Sequence, residues 1–241
     1  MRAWLLSPFA FLAAAALAQP GAAPDPQVAA LLAGMRAACG GDAWDRVEGW
    51  HETGRVDLPG GMSLPYEAWH SMRSPPTALY VNRVDGRIVR QSGYDGAARW
   101  QAGPDGQVRR EADPAALRRA RRDAWLSNFG WLLPGRLPAA FELLGRRDHD
   151  GRSYDVLRAT PEGGDSAELW IDRDSRRVAR LVAGNEQAEL SAYRDFAGVC
   201  TATLGRQGDG DPAHAIVLHV ESVETGPVDP ARFAPPAPAG Q

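Results

Sequence analysis

Hydrophobic positions recur along this chain with two periods. Val28, Leu31, Leu32 and Met35 fall at helical spacing behind Asp25-Pro26, and Gly40-Gly41 stops the run. An Asp N-cap followed by Pro at the first helical position is a helix start. From Val47 to about Val108 the period drops to two, in short runs broken at Leu58-Pro59-Gly60-Gly61 and Asp85-Gly86, which predicts strands joined by hairpins. Met62, Leu64, Tyr66 and Ala68 share one face of such a strand, and Ser63, Glu67 and Ser71 the other. Trp69 falls on the polar side, so both faces of the sheet are expected to be partly covered. A second Asp-Pro pair, Asp113-Pro114, opens a helix with an apolar stripe of Leu117, Ala120 and Ala124, ending near Pro134-Gly135. Period-two runs then return near 139–147, 152–160, 167–172, 176–183, 186–195, 198–206 and 213–224.

Helix, strands, helix, strands with hairpin-length turns predicts an antiparallel α+β fold and excludes parallel βαβ units. About ten to twelve strands are too many for a flat sheet. The expected architecture is a curved antiparallel β-sheet, a half-barrel, with its concave face covered by the two helices. It spans 26–233 as one domain, behind a linker at 19–25 and ahead of a Pro/Ala tail at 234–241 taken as disordered.

The N-terminus adds an address. Arg2 precedes an apolar run from Trp4 to Leu17, and Ala16-Leu17-Ala18 is a small-x-small cleavage site. Residues 1–18 therefore read as a signal peptide, with an uncleaved anchor as the alternative. No later apolar stretch reaches spanning length, so the expectation is a soluble periplasmic protein with no transmembrane segment after cleavage. All 27 basic residues are Arg, against 30 acids, for a net charge of −3. That excludes Lys chemistry and argues against nucleic acid as a partner.

Candidate chemistry is sparse. No G-x-S-x-G, H-E-x-x-H or Walker-type loop occurs, and the five His residues are scattered. No catalytic residue, metal or cofactor is assigned, and the chain reads as a non-enzyme. Cys39 ends the apolar stripe of the first helix and Cys200 lies on the apolar side of a strand. If helix packs on sheet the two sulfurs can meet, so the pair is a disulfide candidate; two separate buried thiols are the alternative. His214 and His219 are placed on opposite faces of one strand.

Aromatic residues invite a binding reading. Tyr66 and Tyr80 lie on apolar faces, while Trp125, Phe129 and Trp131 lie where the second helix becomes a loop, a natural cavity mouth. Arginines around that helix, Arg118 and Arg122 among them, are candidates to orient an anionic headgroup; a solvated helix face is the bland alternative.

Three segments carry a family resemblance: Cys39-Gly-Gly-Asp-Ala-Trp44, Gly93-Tyr-Asp-Gly96 with Trp100, and Glu168-Leu-Trp-Ile-Asp172 followed by an Arg-rich turn. The chain resembles the LolA/LolB-like, outer-membrane lipoprotein-sorting-like superfamily over about 26–233. The nearest version is the domain preceding retropepsin-like aspartic proteases, with the protease domain absent. The resemblance implies a helix-lidded half-barrel that can hold acyl chains. The expected partner is a lipophilic small molecule or lipoprotein. The alternative is an envelope protein–protein or sensor module with a packed interior and no ligand.

Overall fold

The computed structural model describes residues 25–209 and 211–237. The expected signal peptide, most of the linker and the last four residues of the tail lie outside them. Helix α1 (Pro26–Ala38) is followed by β1 (Trp50–Asp57), β2 (Ser63–His70), β3 (Ala78–Val84), β4 (Arg87–Tyr94), β5 (Arg99–Ala102) and β6 (Val108–Glu111). Helix α2 (Pro114–Ser127) precedes β7 (Ala139–His149), β8 (Arg152–Pro161), β9 (Ala167–Asp172), β10 (Val178–Ala183), β11 (Glu186–Phe196), β12 (Val199–Gly208) and β13 (Ile216–Thr225). Both Asp-Pro starts cap as their chemistry predicts. Asp25 accepts from the Gln27 N–H, and Asp113 from those of Ala115 and Ala116.

The strands form one antiparallel sheet in the order β6-β5-β4-β3-β2-β1-β13-β12-β11-β10-β9-β8-β7. It is two meanders joined where β1 meets β13, and among the described residues β6 and β7 remain as unjoined edges. The count exceeds the ten to twelve expected, and β5 and β6 are only four residues each, too short for alternation to stand out. His214 also departs from expectation: it lies in a short 3-10 turn before β13, its ring 3.2 Å from Asp209. Asp211 holds that turn by accepting from the Ala213 N–H, so the strand starts later.

The principal core lies on the concave side. Val28, Met35 and Cys39 from α1 and Trp125 from α2 pack with Leu157, Leu169 and Ile171 of the sheet. A chain of aromatic contacts crosses this layer. Trp44 stacks on Trp50 at 5.8 Å, Phe129 packs on both, and Trp131 links Phe129 to Trp125 at 5.9 and 6.1 Å. Gly130 permits this crowding, since a Cβ there would lie 2.1 Å from the Trp125 ring.

Helix α2 spans the gap between the two meanders. Ala120 and Ala124 lie close against Tyr94 of β4, while the backbone carbonyl of Arg118 accepts from the Asp165 N–H in the β8–β9 turn. The convex face carries a second core of Trp69, Leu79, Val81 and Trp100, closed by Phe233. Trp100 Nε1 donates to the Phe233 carbonyl at 2.9 Å. This is the two-sided cover that Trp69 foretold.

Asn128, fully buried at the end of α2, ties that helix to the β2–β3 loop. Its side chain accepts from the Met72 N–H and donates to the carbonyls of Thr77 and Ala124. Removing it orphans the buried Met72 N–H, at about 1–3 kcal/mol, while the carbonyls of Thr77 and Ala124 keep the backbone N–H groups of Ser71 and Asn128. Asn128→Ala should therefore destabilise the fold by about 1–3 kcal/mol in urea denaturation; a change under about 0.5 kcal/mol would remove this joint from the account.

Candidate cavity on the concave face

Packing stops short of filling the concave side. A cavity of about 840 Å³ remains, bordered by the end of α2, its 3-10 extension, and the inner faces of β1–β5 and β10–β13. Ligand sites typically occupy about 300–1,000 Å³. Its apolar wall includes Leu126, Phe129, Trp131, Leu181, Leu190 and Leu218. These come from a helix end, a 3-10 turn and three strands, so no continuous stretch of sequence displays the wall.

The sequence-derived candidates distribute unevenly. Tyr80, Phe129 and Trp131 border the cavity. Tyr66 is buried behind the wall and donates to Glu52 Oε1 at 3.1 Å. Trp125 is buried, and its Nε1 donates to the Leu137 carbonyl. Arg118 faces away, paired with Asp165 at 3.0 Å. Arg122 is buried between Asp123 and Glu186, at 2.7 and 3.6 Å. There it joins α2 to the start of β11 rather than pointing into the cavity. The cations that border the cavity are Arg90 and Arg99, on β4 and β5.

Sequence reasoning passed over the cavity's polar wall. Glu52 and His70 are 8% and 2% exposed, and both border the cavity with Tyr80. Glu52 has no cationic side chain paired with it among the described residues; it accepts from Trp50 Nε1 at 2.9 Å and from Tyr66. Burial raises its carboxyl above the ordinary range against the pull of those two hydrogen bonds. Burial also drives the His70 imidazole down to about 3, and its Nδ1 has no hydrogen-bond partner among the described residues. A signal for Glu52 was present: it shares the inward face with Trp50, Gly54 and Val56 in a period-two run.

Cys39 and Cys200 also border the cavity. The backbone of the two residues is joined, Cys200 N–H to Cys39 carbonyl, at 3.0 Å. Gly40 makes that approach possible, with φ of 113° and no Cβ to strike the Gly198 carbonyl. The pair expected as a disulfide is present as two free thiols. The hydrogen bond from Cys39, helped by the Arg177 charge, brings Cys200 down to about 7, and the same bond pushes the Cys39 thiol up. No group of three or more metal-ligating side chains occurs among the described residues. No helix there is long and apolar enough to cross a membrane.

The buried polar wall has a pH signature with two opposite signs. His70 stays neutral in the fold, while in the unfolded chain it protonates near 6.5. Its contribution is therefore present above about pH 6.5 and declines by about 1.4 kcal/mol per unit toward pH 3. Glu52 behaves oppositely: its raised carboxyl costs stability as pH climbs and the group must ionise. Urea denaturation across this range should find His70→Asn gaining on wild type as pH falls and Glu52→Gln gaining as pH rises. Parallel curves for wild type and either variant would contradict the assigned burial.

No protein-family model matches the chain, and no curated protein matches it in sequence. Solved structures do match its fold. One is a DUF1329 family protein from Desulfovibrio piger, at 15% identity and TM-score 0.57, covering 86% of this chain and 97% of that one. A LolA superfamily protein from Nitrosomonas europaea aligns over the same shares at 13% identity and TM-score 0.57. A domain named for outer membrane lipoprotein sorting, from Vibrio parahaemolyticus, aligns at 12% identity and TM-score 0.54, covering 83% and 91%. The likeness is one of fold: this chain is a curved, open antiparallel half-barrel with helices in its concavity, similar to LolA-superfamily and lipoprotein-sorting-like structures.

Proposed function

We propose that this protein is a non-enzymatic carrier of the bacterial envelope, holding a lipophilic ligand such as a lipoprotein acyl group in its concave cavity. The observation that carries the reading is the unfilled volume of about 840 Å³ against an apolar wall. An acyl chain laid there would gain about 0.8 kcal/mol per buried CH₂. The fold it shares with a lipoprotein-sorting domain supports the same use. An interior of this size disfavours the alternative of a packed, ligand-free interaction module.

Within this reading Tyr80, Phe129 and Trp131 touch the ligand, and Tyr66 and Trp125 hold the wall behind them. Arg118 and Arg122 act at the outside and rim of α2, where Arg122 keeps the helix against β11. Residues 1–18 direct export to the periplasm and are removed there. In that oxidising compartment Cys39 and Cys200 form the disulfide their adjacent placement allows, pinning α1 to β12.

Ligand binding and thiol chemistry test these statements. Native mass spectrometry of periplasmically expressed protein should find co-purified lipid, and acyl ligands should quench Trp fluorescence. Ala188→Trp and Ala202→Trp, which fill the cavity from β11 and β12, should weaken acyl binding by about tenfold or more, a loss of about 1.4 kcal/mol. Reproducibly empty protein with no quenching would refute the carrier. Thiol titration of the unfolded exported protein should find no free thiol, and reduction should cost about 2–4 kcal/mol of stability. Two titratable thiols would refute the bridge.

A further inference from the structure

We propose that Glu52, His70 and Tyr80 form a headgroup subsite at the buried end of the cavity, one that takes an uncharged hydrogen-bonding group of an amphiphile, a hydroxyl or a carbonyl. The inference rests on the carrier reading and specifies the ligand that reading leaves open.

Strand register brings the three together. Ala68 on β2 is paired with Glu52 on β1 and with Tyr80 on β3, while His70, two residues on, is paired with Trp50 and Ala78. All three side chains therefore project from one face of three adjacent strands. The residue between Glu52 and Tyr80 is an alanine, whose methyl leaves room above the sheet. Ser127 of α2 lies against the Tyr80 hydroxyl from the opposite side, so the polar groups surround a volume rather than lie on a flat wall.

A purely structural network of this depth is expected to be saturated, because buried polar groups left unpaired are costly. This one is not. Glu52 accepts two hydrogen bonds, and in the protonated state favoured by burial it has an O–H left to donate. The His70 Nδ1 also lacks a partner among the described residues, that atom itself being covered. The wall thus offers hydrogen-bonding groups whose one acid is pushed by burial toward its neutral form.

That neutrality chooses the ligand class. A carboxylate or phosphate here would bring a second acid against the buried Glu52 carboxyl, with which no cationic side chain is paired among the described residues. A hydroxyl or ester carbonyl exchanges hydrogen bonds without introducing a charge. An anionic headgroup has a different place to go, beside Arg90 and Arg99 on β4 and β5.

The test is displacement of a neutral fluorescent probe, N-phenyl-1-naphthylamine, by ligands that share an oleyl chain and differ only at the head. These are oleyl alcohol, monooleoylglycerol, oleate and the head-free hydrocarbon. At neutral pH the alcohol and the monoglyceride should bind about tenfold or more tightly than oleate or the hydrocarbon. Glu52→Leu and His70→Phe should erase that preference while hydrocarbon binding persists, which also shows that the variants fold; Glu52→Gln should retain the preference. Equal binding of all four would leave the carrier reading standing and overturn the subsite. Preference for oleate, lost in Arg90→Ala or Arg99→Ala, would also overturn it by moving the headgroup to the cations. Binding of none would overturn the carrier reading and this inference together.

Discussion

An antiparallel sheet that does not close on itself has no ring of hydrogen bonds to fix its curvature. Here β6 and β7 are unjoined, so the bend depends on what is wedged into the concave side. The wedge is aromatic. The contacts running from Trp44 and Trp50 through Phe129 and Trp131 to Trp125 and Phe141 connect β1 to β7 across the hollow. Large rings suit the task because each buries much area in a rigid shape. Helix α2, reaching both the β4 side and the β8–β9 turn, spans the remaining distance.

The same arrangement explains why a cavity persists. Aromatic groups and α1 are concentrated over β7–β10 and the β1 end, while over the polar stretch of β1–β3 it is the end of α2 that reaches the sheet, through Ser127 and Asn128. There the inward positions are Glu52, Tyr66, His70 and Tyr80 instead of aliphatic side chains. Filling that end with leucine would be the simpler route to stability. Keeping it polar and partly unsatisfied makes chemical sense when the occupant is a ligand.

Much of the fold was legible because it is local. Asp-Pro caps, turn residues and period-two runs placed both helices and all seven strands after α2, and Trp69 disclosed the covered convex face. The three segments behind the family resemblance each have a structural task. Gly40 and Trp44 join α1 to β12, Tyr94 and Asp95 close a turn, and Asp172 holds Ser175. The cavity was less legible because its walls are assembled across the sheet. Glu52 and His70 become neighbours only through strand pairing. Arg90 and Arg99 belong to strands whose inward faces are too short or mixed to stand out. The arginines of α2 form the conspicuous cluster in sequence, yet Arg118 and Arg122 meet acids that lie far off along the chain.

The pairing of β1 with β13 sets an order on how the molecule can be made. Trp50 is matched with Thr225, nearly the two ends of the sheet's sequence, while the other strand pairs are between chain neighbours. Each meander can form as its residues become available, but the centre of the sheet stays unzipped until the last strand exists. Closing so long a loop is entropically demanding and slow. During that interval β1 presents an open edge beside a half-built apolar hollow, the kind of surface on which chains associate wrongly. The middle of the finished structure is thus the last part to be completed, and its hollow needs cover before the sheet that forms it is whole.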